Sequence, residues 1–121
     1  MLLFHGTTTT DPRIIIDSDE GLDIRFNGKN ATAYGKGIYF HQTASYSIGF
    51  AHQNARGRNR EMLVAKVLVG DTVKQGGDSN RRLPPCLPGS TTYRYDSIND
   101  GGGMYISFTN SKTYPAYLIS F

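Results

Sequence analysis

Three histidines (His5, His41 and His52), a single cysteine (Cys86) and the acidic run Asp17, Asp19 and Glu20 are the groupings that could bind a metal, supply a nucleophile or pass a proton. None of them fits a general template. The histidines are widely spaced and have no companion cysteines, which argues against zinc, and no metal is expected. Cys86 lies in PPCLP with no base near it in the sequence, so a catalytic thiol is not expected. The acidic run follows a segment that reads as a helix and is expected to close it on the surface. Gly35-Lys36-Gly37 would need a further glycine at position 40 to make the dinucleotide fingerprint, and Phe40 stands there. No GxxxxGK[ST] phosphate loop occurs. What remains is AYGKGIYF, residues 33–40, a glycine turn that runs directly into Tyr39. Either it is a loop entering the core, or the loop and the tyrosine form one wall of a ligand pocket.

Two basic groupings have the chemistry to meet phosphates: Arg56, Arg58 and Arg60 in ARGRNR, and Arg81-Arg82. With a net charge of only +3, they read first as solvated loops, with contact to phosphates of an acceptor or a cofactor as the alternative.

The chain that must position these groups has 121 residues, enough for one domain, residues 1–121. At 38% hydrophobic and 19% charged it has a globular composition. No apolar run approaches the ~18 residues of a membrane span, so no membrane partner is expected. Met1-Leu2-Leu3-Phe4 has no basic n-region, which argues against a signal peptide. One cysteine rules out an internal disulfide and fits a reducing compartment. A soluble intracellular monomer, cytoplasmic or nuclear, is the expectation.

Residues 2–4 form a short apolar strand ending at His5-Gly6. Asp11 as N-cap and Pro12 at the first helical position open a helix that carries Ile14, Ile15 and Ile16 inward and stops before Gly21. Residues 22–36 are polar and read as an ordered loop, and 38–40 as a strand. Ala44, Ile48 and Ala51 recur at helical spacing and predict a helix over about 43–54. Leu63, Ala65, Val67 and Val69 alternate, which predicts a strand over 61–70. Residues 71–92 read as a long loop, 104–109 and 116–121 as strands, and SKTYP between them as a turn. Strands outnumber helices without strand–helix alternation, so the fold class is α+β with an antiparallel or mixed sheet.

Five segments in this order resemble one family: LFHGT (3–7), YGKGIYF (34–40), ASYS (44–47), YDSIND (95–100) and the terminal YPAYLISF. Together they resemble the catalytic domain of poly(ADP-ribose) polymerases. GKNATAYGKGIYF is similar to the mono-ADP-ribosyltransferase branch almost residue for residue. The resemblance implies the ADP-ribosyltransferase fold, a split, mostly antiparallel sheet with few short helices that binds NAD without a Rossmann motif. It implies that His5 hydrogen-bonds a ribose hydroxyl of NAD, and that Gly6 holds the nicotinamide amide through its backbone with help from Ser47. It places Thr7 near the adenosine ribose. Tyr39 packs on the nicotinamide, and Gly35 and Gly37 let the backbone bend around it. The other face of the ring falls to Phe50 on one spacing and to His52 on another, and Phe50 keeps the full aromatic face.

The sequence departs from the family pattern at Met104, where polymerising members carry a glutamate. A thioether neither accepts a strong hydrogen bond nor orients a proton. The resemblance therefore implies transfer of a single ADP-ribose to an anionic acceptor, either a protein side chain or the phosphorylated end of a nucleic acid, the basic groupings slightly favouring the latter. Hydrolysis of NAD, or NAD binding without turnover, are the alternatives. The family's domain also has strands ahead of the histidine motif, so this is either a minimal transferase domain or part of a longer chain.

Overall fold

Leu63, Ala65 and Val67 alternate along one strand and bury their side chains in a single apolar layer, which makes that strand, β4, the centre of the sheet. The computed structural model describes residues 1–19, 21–24, 33–54, 57 and 59–121. Glu20 of the acidic run and Arg56 and Arg58 of the first basic grouping lie outside the described residues, as do residues 25–32 of the polar loop.

The strands are β1 (Leu2–His5), β2 (Ile38–His41), β3 (His52–Gln53), β4 (Arg60–Val67), β5 (Thr72–Lys74), β6 (Ser97–Asn99), β7 (Met104–Ser107) and β8 (Thr113–Ser120). They form one sheet in the order β3-β4-β1-β2-β7-β6-β5, with β8 on the other side of β4. Only β5 and β6 run parallel. The sheet is mixed and mostly antiparallel, the expected α+β arrangement. It is also split in effect. β1 and β2 meet where Phe4 faces His41, whereas β1 follows β4, and β2 follows β7, along their lengths. Each half has its own core. Leu3, Ile15, Leu22, Ile38, Phe40, Leu63, Ala65 and Val67 fill one, and Ile98, Met104, Ile106 and Phe108 fill the other.

Several local expectations need correction. In α1 (Pro12–Asp17) Asp11 caps the helix by accepting the Arg13 amide, as expected. Only Ile15 is buried, however, and Ile14 and Ile16 are exposed. Successive residues stand ~100° apart around a helix, so three in a row cannot share one face. The helix expected over 43–54 is a single turn, α2 (Ala44–Ser47), followed by a 3-10 turn (Ile48–Phe50) and then β3. Gly49 weakens helix propagation, and the Phe50 carbonyl is captured by the Thr8 amide at 2.8 Å. Ile48 is exposed, so the apolar spacing there marked no buried face.

The strand expected over 61–70 begins at Arg60 and stops at Val67, because Leu68 turns its amide to the Lys112 carbonyl. The long loop 71–92 opens with β5, which is too short to show a period. The strand expected over 104–109 stops at Ser107, and SKTYP is a 3-10 turn (Asn110–Lys112) running into β8. Pro115 sits inside β8, where an edge position and a register shift between Val64 and Ala65 accommodate it. Among the described residues, no helix is long and apolar enough to cross a membrane.

Candidate active site

His5 ends β1 with its imidazole Nδ1 2.7 Å from the backbone carbonyl oxygen of Tyr39. A carbonyl only accepts, so Nδ1 carries the proton and donates it, which leaves the lone pair on Nε2. The ring leans on Phe40, with centroids 5.3 Å apart. Burial pushes the His5 pKa below its ordinary value, against the opposing effect of the bond to Tyr39. The side chain is thus a neutral imidazole with a free acceptor nitrogen.

The hydroxyl of Tyr39 donates to the Gly35 carbonyl at 2.7 Å and accepts the Tyr34 amide at 2.9 Å. It pins the glycine turn that precedes it. Gly35 has φ +126°, and a Cβ there would stand 2.6 Å from the Arg81 carbonyl oxygen, so this position requires glycine twice over. Arg81 reinforces the turn from the long loop. Its guanidinium donates to the carbonyls of Tyr34 at 2.8 Å and Gly76 at 3.1 Å, and its own carbonyl accepts the Lys36 amide at 2.7 Å. Gly37 is glycine for another reason. A Cβ there would lie 2.5 Å from Ile106 Cγ2 and 2.7 Å from the Ser107 carbonyl oxygen, so the neighbour that needs the space is β7. The Tyr39 ring is half-buried against the Ile98–Ile106 core, and burial raises its phenol pKa. The turn does enter the core.

Residues 5–8 and 47–52 are drawn together by backbone contact. A Cβ on Gly6 would stand 2.5 Å from the carbonyl carbon and oxygen of Phe50. Beside it Thr8, with φ +52°, donates its amide to Phe50 and accepts from His52 Nδ1 at 2.9 Å. Thr7 is buried and donates its hydroxyl to the Thr10 carbonyl at 2.6 Å. Ser47 is buried at the end of α2. The Phe50 ring faces Tyr46, which in turn stacks on His41. His52 turns instead towards Asp11 and Glu61. Met104 starts β7 opposite His41, on the face that Tyr39 shares with Ile106, and is buried with Ile98, Ile106 and Phe108.

Asp11, His52 and Glu61 bring ligand atoms within 4.8 Å of one another, a grouping with metal-binding chemistry. Arg13 already answers it. Its guanidinium reaches both Glu61 oxygens, at 2.9 and 2.6 Å, and one Asp11 oxygen at 3.3 Å. The hydrogen bonds from Arg13 hold the Glu61 pKa low despite burial. The phosphate reading of the basic groupings also loses members. Arg60 donates to the Ile48 carbonyl and lies over the Phe121 ring, and Arg81 is spent on carbonyls. Arg82 stays exposed. The clasping role of Arg81 and the placement of His41 had no signal in the sequence, since both depend on long-range contacts.

The family model described as "Poly(ADP-ribose) polymerase catalytic domain" matches residues 1–85. The chain is 31% identical over 99% of its length to the mouse (Mus musculus) "Protein mono-ADP-ribosyltransferase PARP11", of which it spans 41%. It is 33% identical over 98% of its length to human (Homo sapiens) "Protein mono-ADP-ribosyltransferase PARP14", of which it spans 7%. To mouse "Protein mono-ADP-ribosyltransferase PARP12" it is 34% identical over 98% of its length, spanning 16% of that protein. The chain belongs to the poly(ADP-ribose) polymerase catalytic domain family.

Proposed function

Given that membership, we propose that the chain is an NAD-dependent mono-ADP-ribosyltransferase that moves one ADP-ribose from NAD to a carboxylate of a protein acceptor and releases nicotinamide. The observation that carries this reading is the His5–Tyr39 contact. The bond to the Tyr39 carbonyl leaves His5 Nε2 as a neutral acceptor, the form that can take a hydrogen bond from a ribose hydroxyl. The Tyr39 ring supplies one aromatic face for the cationic pyridinium. Phe50 is the better candidate for the other, because the His52 imidazole is committed to the Thr8 carbonyl. The Gly6 backbone and Ser47 would read the amide.

Cleaving the nicotinamide–ribose bond builds positive charge on the ribose, as in glycoside chemistry, and the nicotinamide leaves neutral. No general acid is needed. Met104 cannot activate a hydroxyl, so extension into a polymer is disfavoured, whereas a carboxylate is already an anion and needs no base. The similarity to mono-ADP-ribosyltransferases supports single-unit transfer. The occupied guanidiniums of Arg60 and Arg81 weaken the case for a nucleic-acid acceptor.

The test is incubation of the chain with labelled NAD and either a glutamate-containing peptide or 5′-phosphorylated RNA or DNA, following both label and nicotinamide. Peptide labelling that is lost in His5→Ala is the expected result. Release of nicotinamide that ignores every acceptor would mean hydrolysis, and no release beyond that of His5→Ala would remove the catalytic reading.

A further inference from the structure

His41 makes none of the contacts assigned to NAD. It ends β2 directly opposite Met104 of β7. Facing residues of an antiparallel pair share one side of the sheet, with Cβ atoms about 4.5–5.5 Å apart. Tyr39, two positions earlier on β2, points to that same side. The Thr43 amide donates to His41 Nδ1 at 3.0 Å, so Nδ1 holds the lone pair and the neutral ring carries its proton on Nε2. His5 and His41 are therefore opposite tautomers: His5 offers an acceptor and His41 a donor.

The ring is held firmly. Tyr46 stacks on it at 4.6 Å with 17° between the planes, and Gly103 packs so closely that a Cβ there would be 3.0 Å from His41 Cε1. Among the described residues no buried side-chain nitrogen or oxygen lacks a hydrogen-bond partner, and the hydrogen bonds of His41, to the amide and the hydroxyl of Thr43, are both made by Nδ1. Nε2 is thus not fully buried, and it lies beside Gly103, where an added Cβ would stand 3.4 Å from it.

We propose that His41 Nε2–H is the donor that holds the acceptor carboxylate beside Met104. The assignment rests on the transferase reading and adds to it the group that recognises the acceptor. During transfer one carboxylate oxygen forms the bond to ribose C1′ as the C1′–N bond breaks. The bonding pair leaves with neutral nicotinamide, and no proton moves. Nε2–H donates to the second carboxylate oxygen throughout. The thioether of Met104 could not supply that donor, and an acceptor held from β2 needs nothing from β7.

The test compares the chain with His41→Phe, which keeps a ring against Tyr46 but has no donor, and with His41→Gln, which restores an N–H at a similar reach. Labelled NAD, a glutamate-containing peptide and a 5′-phosphorylated RNA oligonucleotide are the probes. His41→Phe is expected to lower kcat/KM for the peptide roughly ten- to hundredfold, the weight of a hydrogen bond to a charged group. The KM for NAD should stay near that of the parent chain, the melting midpoint should fall only by the loss of the Thr43 bond to Nδ1, and His41→Gln should recover part of the loss in peptide labelling. Peptide labelling by His41→Phe at the parent rate overturns the assignment, as does equal loss in both variants or label that goes to RNA and not to peptide. A parent chain that neither binds NAD nor releases nicotinamide removes the transferase reading itself and the assignment with it. NAD turnover with peptide labelling indifferent to His41 removes the assignment alone.

Discussion

His5 Nδ1 donates to the Tyr39 carbonyl across 34 residues of sequence, at the narrow place where β1 and β2 join the two halves of the sheet. One hydrogen bond therefore orients an imidazole and ties together strands that belong to different cores.

The first prediction follows from the depressed pKa of His5, whose ordinary value is 6.5. The unfolded chain takes up a proton near that value, and the folded chain only at lower pH. Between the two the unfolded state holds more protons, so this residue's contribution to stability is retained above about pH 6.5 and lost as the pH falls through the folded value. The melting midpoint of the parent chain should fall as the pH drops below 6.5, and that of His5→Gln should fall less over the same range. Nicotinamide release should likewise persist below pH 6.5, because His5 Nε2 remains an acceptor there. Parallel pH–stability curves for the two proteins would refute the argument.

The proposed function gives Tyr39 a ring face for NAD beside the hydroxyl that pins the turn. Tyr39→Phe keeps the ring and removes the bonds to Gly35 and Tyr34. It is expected to lower the melting midpoint by about 5 °C while weakening NAD binding only slightly. Tyr39→Ala loses the ring as well, and NAD affinity measured by calorimetry should fall about tenfold or more.

Arg81 straps the long loop to the same turn at two points, its guanidinium donating to the Tyr34 carbonyl and its own carbonyl accepting the Lys36 amide, while its bond to the Gly76 carbonyl stays within the loop. Arg81→Ala should raise the KM for NAD with a smaller effect on kcat, since the turn carries Tyr39 without touching the reacting atoms. Arg81→Lys should fail to rescue it, because an ammonium cannot reproduce the planar fork of the guanidinium. Equal loss of KM and kcat would assign Arg81 a different role.

Gly6 leaves no room for a side chain, and the obstacle is the backbone of Phe50, which cannot swing aside as a flexible side chain could. Gly6→Ala should separate the end of β1 from the turn after α2 and reduce NAD binding together with thermal stability. Gly49, three positions after Tyr46, has nothing within 4 Å of an added Cβ. Gly49→Ala is therefore the matched control, expected to fold and bind NAD as the parent does.

The sequence announced the strands that carry alternation over many residues, such as β4, and the cap of α1, where Asp11 and Pro12 act locally. It did not announce β5, because a three-residue strand stabilised by a distant parallel partner leaves no period to read. The helix after Thr43 stops short of the length its apolar spacing suggests, because the capture of the Phe50 carbonyl by Thr8 is a tertiary event. At the site, His5 and Tyr39 could be named from motif residues, yet the hydrogen bond between them could not. Arg81 reads as surface charge in the sequence, and only the fold shows that its guanidinium is engaged by the Tyr34 and Gly76 carbonyls. The sequence separates such an arginine from a solvated one no better than it tells a buried isoleucine at 15 from exposed ones at 14 and 16.

Met104→Glu puts back the carboxylate that polymerising relatives are expected to have, and the surroundings determine what it would do. The side chain at 104 is buried with Ile98, Ile106 and Phe108. A carboxyl there meets apolar groups on one side, which cost stability unless it finds a partner. His41 is directly opposite and has an Nε2–H to donate. The variant should therefore fold with a melting midpoint lowered by about 5 °C, and combining it with His41→Phe should lower it further than the two separate changes sum to. The introduced carboxyl, once engaged by His41, is not free to activate a ribose hydroxyl, and it displaces the acceptor from the same donor. Labelled products resolved on a gel should remain single additions, fewer than those of the parent chain, with no ladder. A ladder would show that the one substitution suffices for polymer formation and that His41 does not hold the group placed opposite it.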